Sequence, residues 1–96
     1  MNAKEQYRQK LHAQLLEWQE KAAKMRALSE QASEEARAAM QGPIAELDEK
    51  IDAASRKLLE LSNISEESWE SVREGFETAW ETLRAAVRDA AAKLKG

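Results

Sequence analysis

Residues 69–90 are one eleven-residue unit written twice. Trp69 and Trp80, Glu70 and Glu81, Arg73 and Arg84, and Ala79 and Ala90 are identical, Val72/Leu83 and Phe76/Val87 match in kind, and Leu94 continues the series from Leu83. Eleven residues fill three helical turns at about 3.67 residues per turn, so an apolar stripe with this period stays on one face of a nearly straight helix. A stripe of that length cannot be left in water. The chain must therefore be helical here, and the helix must lie against something apolar.

Little else than helix is open to the rest of the chain. Aromatic residues are 5% and β-branched apolar residues are few, which leaves a sheet little to be built from. Charged residues are 34% against three glycines and one proline, in a background rich in Ala, Glu, Lys, Leu and Arg, the composition of long helices and coiled coils. At 96 residues the expectation is a single helical domain over 1–96, in the size range where one chain's core is modest and oligomerisation often adds to it.

Taken in order, Asn2 and Glu5 have the spacing of a capping box. Leu11, Leu15, Trp18, Ala22 and Met25 then follow four-three spacing, and the register continues through Ser29, Ala32, Ala36 and Ala39 as a coiled-coil seam of shrinking side chains. At Gly42-Pro43 the pattern shifts: Ile44, Leu47, Ile51, Ala54, Leu58 and Leu61 run on with an offset of one residue, which turns the stripe by about 100°. Proline removes a backbone hydrogen bond and crowds the preceding turn, so the helix either kinks there or ends and restarts. The second break is at Ser62–Ile64, where Ser65 stands as N-cap between Ile64 and Trp69 at the positions of a hydrophobic staple. Glu66, Glu67 and Glu70 at the start of the last helix, and Arg84, Arg88, Lys93 and Lys95 at its end, complement the helix dipole. Gly75 is its weak point.

These signals predict a helix over 2–41, continuing or restarting over 43–61, a turn at 62–64 and a helix over 65–95. Two layouts follow. In the preferred one, a first helix of about 90 Å, kinked at Gly42-Pro43, receives a last helix of about 45 Å folded back along residues 31–61. Ile44, Leu47, Ile51, Leu58, Leu61 and Ile64 would then pack against Trp69, Val72, Phe76, Trp80, Leu83, Val87 and Leu94 within the chain. Leu11, Leu15, Trp18, Ala22 and Met25 would be left as a self-association seam, covered by a second copy in a partial four-helix bundle, or in an open filament if the contact is head-to-tail. The alternative is a three-helix bundle of unequal helices that turns sharply at Gly42-Pro43.

Two segments carry a resemblance. Tyr7-Arg-Gln-Lys-Leu-His-Ala-Gln-Leu-Leu-Glu-Trp18 and Ser65-Glu-Glu-Ser-Trp-Glu-Ser-Val-Arg-Glu-Gly-Phe-Glu-Thr-Ala-Trp80 resemble a family of small bacterial coiled-coil proteins linked to stress response. The order of a long first helix, a short Leu/Ser/Asn turn and a helix with two tryptophans eleven apart is similar too. The resemblance implies a cytoplasmic bacterial protein that is not an enzyme. Gly42-Pro43 departs from the family pattern, in which that region is unbroken helix, and brings in the three-helix alternative.

Chemistry has few footholds. His12 is the only histidine and has no Ser, Cys or Asp at a spacing that would orient it as a general base. Without cysteine there is neither a disulfide framework nor a thiolate metal site. Glu30, Glu34 and Glu35, or Glu70, Glu74, Glu77 and Glu81, lack the Glu-x-x-His motif of di-metal bundles. The three glycines are isolated, so no phosphate loop is formed. No cofactor and no metal are expected. A net charge of -3 with interleaved signs argues against nucleic acid as a partner.

Residues Met1 to Arg8 hold no apolar run like that of a secretory signal, and no segment has the roughly 20 apolar residues of a membrane span; a cytoplasmic location is the expectation. The function expected is that of a non-enzymatic, self-associating coiled-coil protein, a stress-related accessory or scaffold. Its partner is a second copy, a dimer before higher forms, or an unknown protein. The alternative is an amphipathic-helix protein that binds a membrane surface through the eleven-residue repeat, since straight amphipathic stripes suit flat interfaces and Trp69, Phe76 and Trp80 suit lipid.

Overall fold

A computed structural model describes residues 3–94 of the chain. Three α-helices fill it, α1 over Ala3–Gln31, α2 over Glu34–Ser62 and α3 over Glu66–Lys93, with no strand among the described residues. The all-α class is as expected, and the layout is the three-helix one. The expected roles of Asn2 as a cap and of Lys95 at the last helix's end lie outside the described residues.

The first reversal falls at Ala32-Ser33 and not at Gly42-Pro43. Three local devices place it there. Ser33 adopts extended backbone and its Oγ accepts a hydrogen bond from the Ala36 N–H at 3.2 Å. Glu34 and Glu35 follow in the first turn, where negative charge meets the positive end of the helix dipole. Arg37 then reaches back over the turn, donating from Nε to the Ser29 carbonyl at 3.3 Å and from Nη2 to the Glu30 carbonyl at 3.0 Å, and so satisfies orphan carbonyls at the end of α1. The offset in the apolar register needs no kink to explain it, because α1 and α2 are separate helices with independent phases.

Pro43 lies inside α2. Its missing N–H would have bonded the carbonyl of Ala39, and Ala39 is exposed, so water can take that place. Gly42 is exposed as well, and a Cβ added there would meet nothing within 4 Å.

The second reversal is close to expectation. α2 ends at Ser62, the Asn63 and Ile64 N–H groups bond back to the Glu60 and Leu61 carbonyls at 3.1 Å, and Ser65 caps α3 by accepting from the Ser68 N–H at 3.2 Å. Ile64 packs onto the core and Trp69 lies in it, the placement of a hydrophobic staple.

With 29, 29 and 28 residues the helices are nearly equal, not unequal, each about 43 Å long. They run up, down and up in a rod of 53 × 20 × 17 Å. Lys4 Nζ donates to the Ile64 carbonyl at 2.7 Å, tying the start of α1 to the second turn. Arg26 pairs with Asp48, and Lys93 with Glu46 at 3.0 Å, toward the other end. α1 and α3 each pack closely along α2, whereas the α1 and α3 backbones stay farther apart and are bridged by aromatic side chains.

Candidate interaction surface

The residues expected to form a free self-association seam are used within the chain. Leu11, Leu15 and Ala22 are buried in the same core as Leu47, Ile51, Ala54, Leu58 and Leu61 of α2 and Trp69, Phe76, Trp80 and Val87 of α3. Trp18 is half-buried and stacks on Trp80, ring centroids 5.3 Å apart and planes 19° apart. Met25 is half-buried on the α1 surface beside Lys21 and Lys24. The reason for this correction is the early turn at Ser33, which brings α2 and α3 alongside the full length of α1.

The expected intrachain set is placed largely as written. Leu47, Ile51, Leu58, Leu61, Trp69, Phe76, Trp80 and Val87 are buried, and Ile64, Leu83 and Leu94 pack against them. Two members differ. Val72 shares its repeat position with Leu83, but its shorter side chain falls short of the core and stays 39% exposed. Ile44 is half-buried and looks into the α1–α2 groove beside Ser29, Arg37 and Gln41, away from the α3 stripe it was expected to meet.

The eleven-residue repeat thus meets an intrachain surface. Tyr7 completes it, at 5.3 Å from Trp69 and edge-on to Phe76 at 6.0 Å. Burial pushes the Tyr7 phenol up to about 12, with the carboxylates of Glu77 and Glu81 adding to the effect. Gln14 Oε1 accepts from Trp80 Nε1 at 2.9 Å, which satisfies a donor on a side chain that is 1% exposed. Trp69 Nε1 is buried with no partner, at a cost of about 1–3 kcal/mol that ring packing offsets in part. Lys57 sits 5.2 Å over the Phe76 ring. With Trp69, Phe76 and Trp80 inside the core, a lipid surface could reach them only if α3 left the bundle.

One face is not covered. On the side away from α3, α1 and α2 enclose a long groove. It is lined by Arg8, His12, Ser55, Arg56, Leu59 and Ser62 near the second turn, by Gln19, Ala45, Asp48, Glu49 and Asp52 at the middle, and by Glu30, Arg37 and Gln41 toward the first turn. Leu59 on the α2 wall of the groove is 65% exposed, while Leu28, 56% exposed, and Leu16, 52% exposed, lie on α1 outside the groove's lining. The sequence carries a signal for Leu16 and Leu59: Leu15-Leu16 and Leu58-Leu59 are adjacent leucines. Neighbours on a helix point about 100° apart, so only one of each pair can face the core. Leu15 and Leu58 do, at 5% and 8% exposure.

Glu5 is held below the usual carboxylate range, chiefly by the hydrogen bonds it accepts from Arg8, the shortest at 2.6 Å. His12 is exposed on the groove wall. Among the described residues no group of three His, Asp or Glu is placed to hold a metal ion, and Glu70, Glu77 and Glu81 pair along α3 with Arg73 and Arg84. No helix of the described residues is long and apolar enough to cross a membrane. What the α1–α2 face can do chemically is bind another apolar, charged surface. In comparisons with known proteins, no family model, curated protein or solved structure matches this chain.

Proposed function

We propose that the protein works by association and not by catalysis, as a self-associating helical accessory or scaffold protein. The observation that supports this is Leu59, held in water on the α1–α2 groove while Leu58 beside it is buried, with Leu16 exposed on α1 beside the buried Leu15. An uncovered groove with a large apolar side chain in water on its wall is a surface that a partner helix can cover. The working surface therefore moves from the inner seam of α1 to the outer face of α1 and α2. The resemblance of the Tyr7–Trp18 and Ser65–Trp80 segments adds a stress-related setting in a bacterial cytoplasm, as part of the same proposal.

Light scattering coupled to size-exclusion chromatography tests the association. The expected result is a molar mass above that of the 10.8 kDa chain, rising with concentration. A single-chain mass throughout a concentration series from micromolar to millimolar would overturn it.

A further inference from the structure

We infer that the groove between α1 and α3 binds a small aromatic carboxylate, its carboxylate between Lys21 and Arg88 and its ring against Trp18 and Val87. The site lies apart from the α1–α2 face proposed for association, so either reading can fail without the other.

The α1 and α3 backbones stay apart and are bridged by aromatic side chains, which leaves a depression between them beside the Trp18–Trp80 stack. Its floor is apolar. Val87 and Ala91 are buried there, and Trp18 is half-buried. Its rim is cationic, with Lys21 on α1 and Arg84 and Arg88 on α3, against one lining carboxylate, Glu17, a helical turn before Lys21. The volume is about 300 Å³, at the small end of the ~300–1,000 Å³ of ligand pockets.

The rim differs from the rest of the surface in that its cations are unpaired. Among the described residues every arginine but Arg88 has a partner. Arg8 is held by Glu5, Arg26 by Asp48, Arg56 by Asp52, Arg73 by Glu70 and Glu77, Arg84 by Glu81, and Arg37 by two backbone carbonyls. Arg88 has neither ion pair nor hydrogen bond among the described residues, and Lys21 has none either. The two stand level. Gln14 bonds Trp80 across the same parallel helices, and seven residues further along each lie Lys21 and Val87, next to Arg88. Like charges facing each other across an apolar floor are relieved by an anion between them.

The residue types narrow the ligand. The planar fork of Arg88 matches a carboxylate through two parallel hydrogen bonds, and Lys21 adds a point charge. Trp18 lies one turn before Lys21, so a ring attached to that carboxylate falls on Trp18 and Val87 and not in water. Glu17 beyond it repels further negative charge, which selects a monoanion over a phosphate dianion.

The probe is 2-naphthoate, with 2-naphthamide as an uncharged counterpart of the same shape. The three tryptophan indole N–H groups report position in a proton–nitrogen NMR titration. The Trp18 and Trp80 signals should move together and saturate, with a Kd of about 1 mM or below for a ligand of this size. The Trp69 signal, beside Tyr7 near the second turn, should stay in place. 2-Naphthamide should bind about tenfold more weakly or worse, and Arg88→Gln and Lys21→Gln should each weaken naphthoate about fivefold or more. Both side chains are exposed, so helicity should not change, and Arg56→Gln in the α1–α2 groove should leave binding as it is. The inference is overturned by the absence of a saturating shift up to about 10 mM, by equal binding of the amide, or by full affinity in both variants. A titration that moves Trp69 and leaves Trp18 in place overturns it as well.

Discussion

Tyr7 is the residue where burial, aromatic packing and titration meet. Its phenol is pushed up to about 12 by burial first and by Glu77 and Glu81 second. Between pH 10 and 12 the unfolded chain gives up a proton that the folded chain keeps, so stability is at its full value below pH 10 and falls through this window. The loss is about 1 kcal/mol once solvent screening of a half-buried ring is allowed for. Phenolate absorbance should titrate near 12 in the folded protein. Tyr7→Phe should remove this part of the alkaline loss in a comparison with wild type at matched pH. At the same scale the sequence was most legible where chemistry and position coincide. The spacing of Trp69, Phe76 and Trp80 predicts a place in the core, and all three are buried there. Gln14 is not legible in this way, because nothing in a run of polar helix residues distinguishes the one that reaches a tryptophan N–H.

At the scale of the helices, the two reversals show what a sequence signal needs in order to stand out. Ser65-Glu66-Glu67 and Ser33-Glu34-Glu35 are the same three residues, and both cap a helix. The first is legible because Ile64 and Trp69 flank it as a staple. Around Ser33 the same positions hold Ala32 and Arg37, and the turn is held by the polar bonds of Arg37 to Ser29 and Glu30 instead. Gly42-Pro43 drew the break toward itself, yet an exposed helix position can bear a proline when water replaces the lost bond. Removing these local penalties should stabilise the fold. Pro43→Ala and Gly42→Ala together should raise stability by about 2–3 kcal/mol, seen as a higher midpoint in denaturant with unchanged slope. Ser33→Ala should lower it by about 1 kcal/mol, as should Ser65→Ala. Equal losses would identify Ser33 as a working cap.

At the scale of the whole molecule, the equal lengths of the helices decide what is left over for a partner. A long first helix would have presented Leu11 to Met25 outward, and a three-helix bundle encloses most of them. Leu15→Asp should therefore act as a core mutation and not as an interface mutation. Burying a carboxylate at a 5% exposed site should cost about 3–5 kcal/mol, a large share of the stability of a domain this size, so circular dichroism should show lost helicity and not only a change in mass. Retained helicity with a reduced mass would return the seam to the surface. The core is also unevenly filled along the rod. Tyr7, Trp18, Trp69, Phe76 and Trp80 lie between the second turn and the middle, while residues 34–42 at the opposite end include none that is buried. A bundle fastened in this way opens from its free end. Native-state hydrogen exchange should find the slowest amides around Leu11–Leu15, Leu58–Leu61 and Phe76–Trp80, opening only with global unfolding, and much faster exchange near Ala36–Met40, so that the rod behaves as a clasp with a fixed hinge end and a breathing tip.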